Sequence, residues 1–153
     1  MYPDEYLNRE DNGSVRFFSS PYEPLNNWSA HQVRIWDKIF ATAAHAYEFK
    51  KFDMTDDNVA ERVANAASPW AAYQVAQQYK AKKRDDWEEL KLSIMHEIIT
   101  AKAAQHRDVQ ERLKQTAGRT IIEDSPSDSF WGCGPDGLGE NNLGKIWMDV
   151  RDK

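Results

Sequence analysis

The sequence predicts a mainly α, compact single-domain fold with a few short N-terminal strands. Three observations carry that reading. Apolar residues recur at three- and four-residue spacing through Trp87, Leu90, Ile94, Ile98 and Ala101, the period of an amphipathic helix. Helix-starting chemistry stands at Thr42, at Ser68-Pro69 and at Asp85-Asp86. The 153 residues suffice for one core and show neither a repeat nor a second boundary.

Residues 1–14 are polar and carry Asn, Asp and Gly; they read as a loosely ordered lead-in to a domain spanning 15–153. Val15 to Phe18 (VRFF) reads as a short strand, followed by loop chemistry with two prolines and two asparagines. HQVRIWDKIFAT alternates Val33, Ile35 and Ile39, with Asp37-Lys38 as the turn between two strands. Thr42 caps a helix over AAHAYEFKKF, in which Ala44, Glu48 and Lys51 share one face and His45, Phe49 and Phe52 the next. Thr55-Asp56-Asp57 caps a second helix, NVAERVANAA. Ser68-Pro69 opens a third, PWAAYQVAQQYK. KAKKR, Lys80 to Arg84, is a basic connector, read either as a solvated linker or as a phosphate contact. The longest helix opens at Asp85-Asp86 and runs to about Gln105. A short one, VQERLKQT, follows and ends before Gly118. Thr120 to Glu123 (TIIE) reads as a strand, and a last helix takes Leu143 to Arg151.

Composition narrows the function classes. A net charge of −5 speaks against a broad non-specific nucleic-acid binder. One cysteine, Cys133, cannot form an internal disulfide, and four scattered histidines make no spaced ligand set, so no metal is expected. No phosphate-cradling GxxxxGK[ST] and no strand followed by GxGxxG is present. No apolar run reaches membrane-span length, and the N-terminus lacks a signal pattern, so a cytoplasmic protein without a membrane partner is expected. Five of the seven glycines fall between Gly132 and Gly144, next to Asp128 and Trp131. Composition leaves this stretch open between a turn-rich surface and a cleft floor. The many aromatics are core or stacking platforms; Trp28, Trp87 and Trp131 have polar neighbours.

Motifs along most of the chain resemble the YbiA-like, or NADAR, family. FFSS with Asn27-Trp28 resembles its N-terminal F-[FY]-S and S-N-F pair, and His45 to Phe52 its E-H-x-[YF]-Q-x-x-K-F helix. Ser68-Pro69, Arg84 to Trp87, Lys91 with Met95, and Lys102 to Gln105 match further pieces in order. Thr116 to Glu123 resembles T-G-x-x-x-[LIV]-x-E. Asp128, Trp131, Gly132 and Gly134 match D-x-[YF]-W-G-x-G. Gly139, Asn141, Leu143, Gly144, Met148 and Arg151 match the closing G-x-N-x-L-G-x-x-x-M-x-x-R. Four departures stand out: the family's acid is Ala44 here, its glutamine Glu48, the K-F-x-Q phenylalanine Ala103 and the T-G glycine Ala117.

The resemblance implies a YbiA-like helical fold and an N-glycosidase acting on a base joined to a phosphorylated ribose. The favoured substrate is ADP-ribosylated guanine in DNA, so an ADP-ribose-containing ligand and modified DNA are the implied partners. A ribosylamino-pyrimidine phosphate of riboflavin synthesis is the second reading. A non-catalytic ADP-ribose or NAD binding module is the third, favoured by Ala44. No cofactor is implied. Breaking the C1–N bond builds positive charge at C1, the departing base needs a proton, and water or an amine must take C1. Glu48, one turn from Ala44, and Asp128 are the carboxylate candidates, against plain readings as a surface ion pair and an Asx-turn. Lys51 is the amine or phosphate-binding charge, against a solvated lysine. Trp131 would stack on the base, and Gly132 and Gly134 would let backbone N–H groups approach phosphate. Asn27 and Asn141 would meet polar ligand edges or pin loops. Arg84 and Trp87 would line the cleft, with Trp87 equally a core residue. His45 joins the ligand-binding set as a hydrogen-bonding residue rather than an acid–base group.

Overall fold

The computed structural model describes residues 8–18, 20 and 23–153. The first half of the lead-in and Ser19 of FFSS lie outside the described residues. Along the chain run β1 (Ser14–Phe17), β2 (Val33–Ile35), β3 (Lys38–Phe40), α1 (Ala43–Lys50), α2 (Val59–Ala64), α3 (Pro69–Gln78), α4 (Trp87–Gln105), α5 (Arg107–Gln115), β4 (Thr120–Glu123) and α6 (Asn142–Asp152). The fold is mainly α with short strands. It divides into two compact units, one from the stretch up to Ser29 together with His106–Lys153, the other Ala30–Gln105.

In Ala30–Gln105, β2 and β3 form an antiparallel hairpin in which Ile35 pairs with Lys38. The turn is therefore Trp36-Asp37, one residue earlier than the sequence reading. Both residues are left-handed, with φ of 54° and 59°. A two-residue hairpin loop needs two such residues to match the strand twist, and a bulky tryptophan seldom supplies one. The free side of β2 is closed by Gln105. Its Oε1 accepts the Arg34 N–H at 2.8 Å and its Nε2 donates to the Arg34 carbonyl at 2.7 Å.

Helix α1 starts where Thr42 predicts, with Thr42 Oγ1 accepting the His45 N–H at 3.2 Å. It packs against α2, α3 and α4, which explains its lack of a polar face: Ala43, Ala44, His45, Ala46, Glu48 and Phe49 are all buried. It ends at Lys50, two residues before the sequence boundary. Helix α2 is shorter than expected at both ends. Asn58, at φ 64°, enters it, and the Asp57 carboxylate accepts the Val59 N–H at 3.4 Å. Thr55 bonds to Asp57 instead of the helix. Ser68 caps α3 by accepting the Ala71 N–H at 3.0 Å, with Pro69 in its first turn as expected. The core collects Phe40, Phe49, Phe52, Val63, Trp87 and Ile98 with their smaller neighbours.

In the other unit, β1 pairs in parallel with β4, from Ser14 opposite Thr120 to Phe17 opposite Glu123. Helix α6 packs on β4 and α5. Trp147 donates its indole N–H to the Leu25 carbonyl at 2.9 Å. Arg151 donates to the carbonyls of Thr116 and Arg119, at 3.0 and 2.6 Å. Both side chains thus satisfy loop backbone. Among the described residues no helix is long and apolar enough to cross a membrane.

Thr42 serves twice, because its hydroxyl also meets His45 Nδ1 at 2.8 Å. Thr42→Ala removes a cap worth about 1 kcal/mol and leaves a buried ring nitrogen unsatisfied, which costs about 1–3 kcal/mol. Urea unfolding is expected to show a loss of about 2 kcal/mol or more, largely restored in Thr42→Ser. A loss under about 0.5 kcal/mol would overturn the double role.

Candidate active site

Two groups of the implied residues assemble, one in each unit. The first lies on α1 and the turn leading into α4. Glu48 and Lys51, three apart on the helix, form an ion pair, Nζ to Oε2 2.7 Å. The ammonium is that close, yet Glu48 Oε2 has no partner in hydrogen-bond direction, so the contact is Coulombic first. Both side chains are largely enclosed, at 16% and 9% exposure for Lys51 and Glu48. Burial pushes the Glu48 carboxyl above the ordinary carboxylate range, and Lys51 and Lys83 partly oppose that shift. Aromatic rings complete the enclosure: Lys51 Nζ lies 5.0 Å from the Tyr47 ring centre and 5.7 Å from that of Trp87. Tyr47 and Trp87 meet edge to face at 5.0 Å.

The remaining residues of this group hold it in place. His45 Nδ1 pairs with Thr42 Oγ1, and Nε2 faces the Ala66 carbonyl at 3.0 Å. A carbonyl only accepts, so Nε2 carries the proton and both ring nitrogens are engaged. The Arg84 backbone N–H bonds the Lys51 carbonyl at 2.9 Å. Its guanidinium grips both Asp86 oxygens, at 2.6 and 3.1 Å, and reaches Asp53 at 3.3 Å. Trp87 is 2% exposed and belongs to the core. The basic connector is not bare charge: Lys82 pairs with Asp57 and Lys83 with Glu88.

The second group is the glycine-dense stretch, folded on the end of β4. Asn141, at φ 52°, turns its amide onto the strand. Its Oδ1 accepts the Glu123 N–H at 2.8 Å and its Nδ2 donates to the Ile121 carbonyl at 2.9 Å. The Glu123 carbonyl accepts the Cys133 N–H at 2.9 Å, and the Gly132 carbonyl the Asn141 N–H at 3.0 Å. Asp128 Oδ1 accepts two N–H groups, from Phe130 at 3.0 Å and Trp131 at 2.8 Å, so it orders the turn that presents the half-buried Trp131. Gly132 is required by contact: a Cβ there would lie 1.9 Å from Glu123 Oε2 and 2.8 Å from the Glu123 carbonyl oxygen. Gly134 is left-handed at φ 71°. Asn27 sits half-buried in the turns that follow Glu23.

Sequence reading passed over Tyr47 and Glu123 as site residues. Tyr47 lay inside the helix motif. Glu123 carried a signal in its position: strand alternation puts it on the same face as the fully buried Ile121. A carboxyl on a buried face is worth flagging. Burial drives its pKa up to about 8, helped by the nearby Asp128 and Asp124 carboxylates and opposed by the Ser125 N–H that Oε2 accepts at 3.1 Å. Cys133 is a poor nucleophile here, because burial and Asp124 push its thiol up to about 11. A cavity of about 810 Å³ lies elsewhere, between the β2–β3 hairpin and α2, and none of the implied site residues line it.

Comparison with known proteins adds the following. The NADAR domain model matches residues 10–153. An N-glycosidase of Nostoc punctiforme is 37% identical over 134 residues, covering 87% of this chain and 86% of that protein. A riboflavin biosynthesis protein of Vibrio vulnificus is 30% identical over 138 residues, covering 86% of this chain and 37% of that protein. The NMR structure of the Escherichia coli protein YbiA superposes with a TM-score of 0.81 at 26% identity, covering 95% of this chain and 86% of that one. A YbiA of that species carries the name N-glycosidase.

Two expectations follow from the Glu123–Gly132 contact. Gly132→Ala forces a Cβ into carboxylate and backbone oxygens, so denaturant unfolding is expected to show a loss of about 1–3 kcal/mol. The second concerns pH. Folded Glu123 keeps a proton that the unfolded chain releases at its ordinary value of 4.5, until pH passes about 8. Its contribution to stability is therefore full below pH 4.5 and is lost as pH rises through 8. Relative to Glu123→Gln, the native chain is expected to lose at most about 1.4 kcal/mol per pH unit across that window. A flat difference would show that Glu123 is not the group concerned.

Proposed function

This chain belongs to the NADAR family, and from that premise we propose that it is an N-glycosidase cleaving the bond between a base and a phosphorylated ribose. The observation that carries the reading is the Glu48–Lys51 pair enclosed by Tyr47 and Trp87. Relatives named N-glycosidases support it over a non-catalytic binding module. The acid missing at Ala44 has a substitute one turn on, at Glu48, and that carboxyl is buried beside an amine.

Burial sets the chemistry. It raises the affinity of Glu48 for a proton, and the nearest source is the Lys51 ammonium. With Nζ turned into line with the carboxylate, transfer of its proton leaves a neutral amine and a carboxylic acid, two groups poised for opposite tasks. The amine attacks ribose C1, and the C1–N bond electrons leave with the base, which takes the proton from Glu48. Opening of the ribose ring then gives an imine between C1 and Nζ. Water adds to the imine and releases the sugar, regenerating Lys51. For charge at C1 and for base stacking, the sequence resemblance offers Asp128 and Trp131 as the candidates.

The finer substrate has two readings. ADP-ribosylated guanine in DNA is the one the sequence resemblance implies, with the Lys80–Arg84 connector as its phosphate edge. Pairing of Lys82, Lys83 and Arg84 with acids weakens that edge. A free ribosylamino-pyrimidine phosphate is favoured by the relative named a riboflavin biosynthesis protein.

Parallel incubation with an ADP-ribosylated guanine oligonucleotide and a ribosylamino-pyrimidine phosphate is expected to release sugar phosphate from one of them. Glu48→Gln is expected to lower kcat at least about 100-fold, the usual span for a lost acid–base group. Borohydride added during turnover is expected to trap a sugar adduct on the native chain that disappears in Lys51→Ala. Undiminished turnover in Glu48→Gln would remove the relocated acid. Turnover with no trapped mass would reduce Lys51 to a charge.

A further inference from the structure

Glu123 takes no part in the steps above, yet it is the point where the glycine-dense stretch is tied together. Its backbone N–H goes to Asn141, its carbonyl receives Cys133, and its side chain reaches back over Gly132. Oε2 also receives the Ser125 N–H. Ser125 in turn accepts, on Oγ, the N–H groups of Ser127 and Asp128, at 3.3 and 3.2 Å. Asp128 then sets Phe130 and Trp131. A continuous line of contacts therefore leads from the Glu123 carboxyl to Asp128 and Trp131, two of the residues that the sequence resemblance assigns to the ligand.

We propose that Glu123 is a positioning residue: its neutral carboxyl, seated over Gly132, holds the Ser125–Trp131 turn, and its ionisation loosens that turn and with it Asp128 and Trp131. The seat explains the direction. The space over Gly132 admits a carboxyl oxygen because no Cβ is there, and the neighbouring acids are unfavourable company for a charge. The charged and titratable groups around Glu123 are the Asp124 and Asp128 carboxylates and the Cys133 thiol. Arg9 and Arg16 are turned to Asp124, at 2.7 and 3.2 Å. Asp124 is 4% exposed in its side chain and receives the Cys133 thiol at 3.3 Å as well. With both guanidinium groups on Asp124, a Glu123 carboxylate would gain little compensation when it loses its proton.

The activity readout rests on the N-glycosidase reading; the structural readout does not. In the native chain, carboxyl-carbon NMR is expected to show one glutamate titrating near pH 8, with the amides of Phe130 and Trp131 shifting at the same midpoint. In Glu123→Gln those amide shifts are expected to vanish. The alkaline limb of kcat/KM is expected to move up by at least one pH unit, a change that a merely space-filling glutamate would not produce. If no glutamate titrates between pH 7 and 9 in the native chain, or if Phe130 and Trp131 titrate alike in Glu123→Gln, the proposal is overturned. Titration without turnover of either substrate would uphold the positioning role and remove the N-glycosidase reading instead.

Discussion

A strand of three or four residues cannot bury itself, because each exposed edge carries N–H and C=O groups that need partners. The structure depends on how those edges are closed. Gln105 turns its side-chain amide onto Arg34 of β2, donating and accepting at once. Asn141 does the same for Glu123 and Ile121 of β4. A carboxamide is suited to this task, since it offers one donor and one acceptor in the plane of a peptide group. Helix α6 can lie against β4 because Gly144 has no side chain; a Cβ there would come 2.2 Å from the Ile121 carbonyl oxygen. Gly132 and Gly144 are thus answers to a packing problem at a strand edge.

The same economy of space decides where protons sit. Glu48 and Glu123 are both carboxyls in low-dielectric surroundings, and burial is the first cause of the upward shift in each. They differ in company. Glu48 has an ammonium 2.7 Å away, so its proton has a local source and sink. Glu123 has two carboxylates nearby and a single backbone N–H, so its proton stays put until pH rises. An exchangeable proton suits chemistry, while a retained one suits shape.

Much of the helical frame was legible in the sequence. Thr42 and Ser68 cap as their side chains and neighbours indicate, and the apolar spacing after Trp87 yields α4. The strand at Thr120 was legible too, but its parallel pairing with Ser14–Phe17 was not, because local pattern says nothing about a partner over a hundred residues away. The hairpin turn was misplaced by one residue since Trp36 is an improbable left-handed residue, and register rather than propensity puts it there. Glycine density gave the location of the stretch around Asp128 without its purpose. Gly132 makes room for a carboxyl, a contact that no composition rule records. Glu123 was visible as a motif residue and passed over as chemistry, since its burial depends on the fold and not on its neighbours in sequence.

In the proposed reading the acid stands at position 48 instead of 44, which changes more than its address. Helix rise is about 1.5 Å per residue, so an acid at 44 would stand about 10.5 Å along the axis from Lys51, and Glu48 stands about 4.5 Å away. At the longer spacing acid and amine would have to stretch toward each other along the helix to meet. At the shorter one they touch, as the 2.7 Å ion pair records. In that reading, close approach lets the proton pass without a ligand. Tyr47 and Trp87 wall the pair on the side of Lys51 Nζ. Ala44, 7% exposed on the same helix face, adds no second charge beside Glu48.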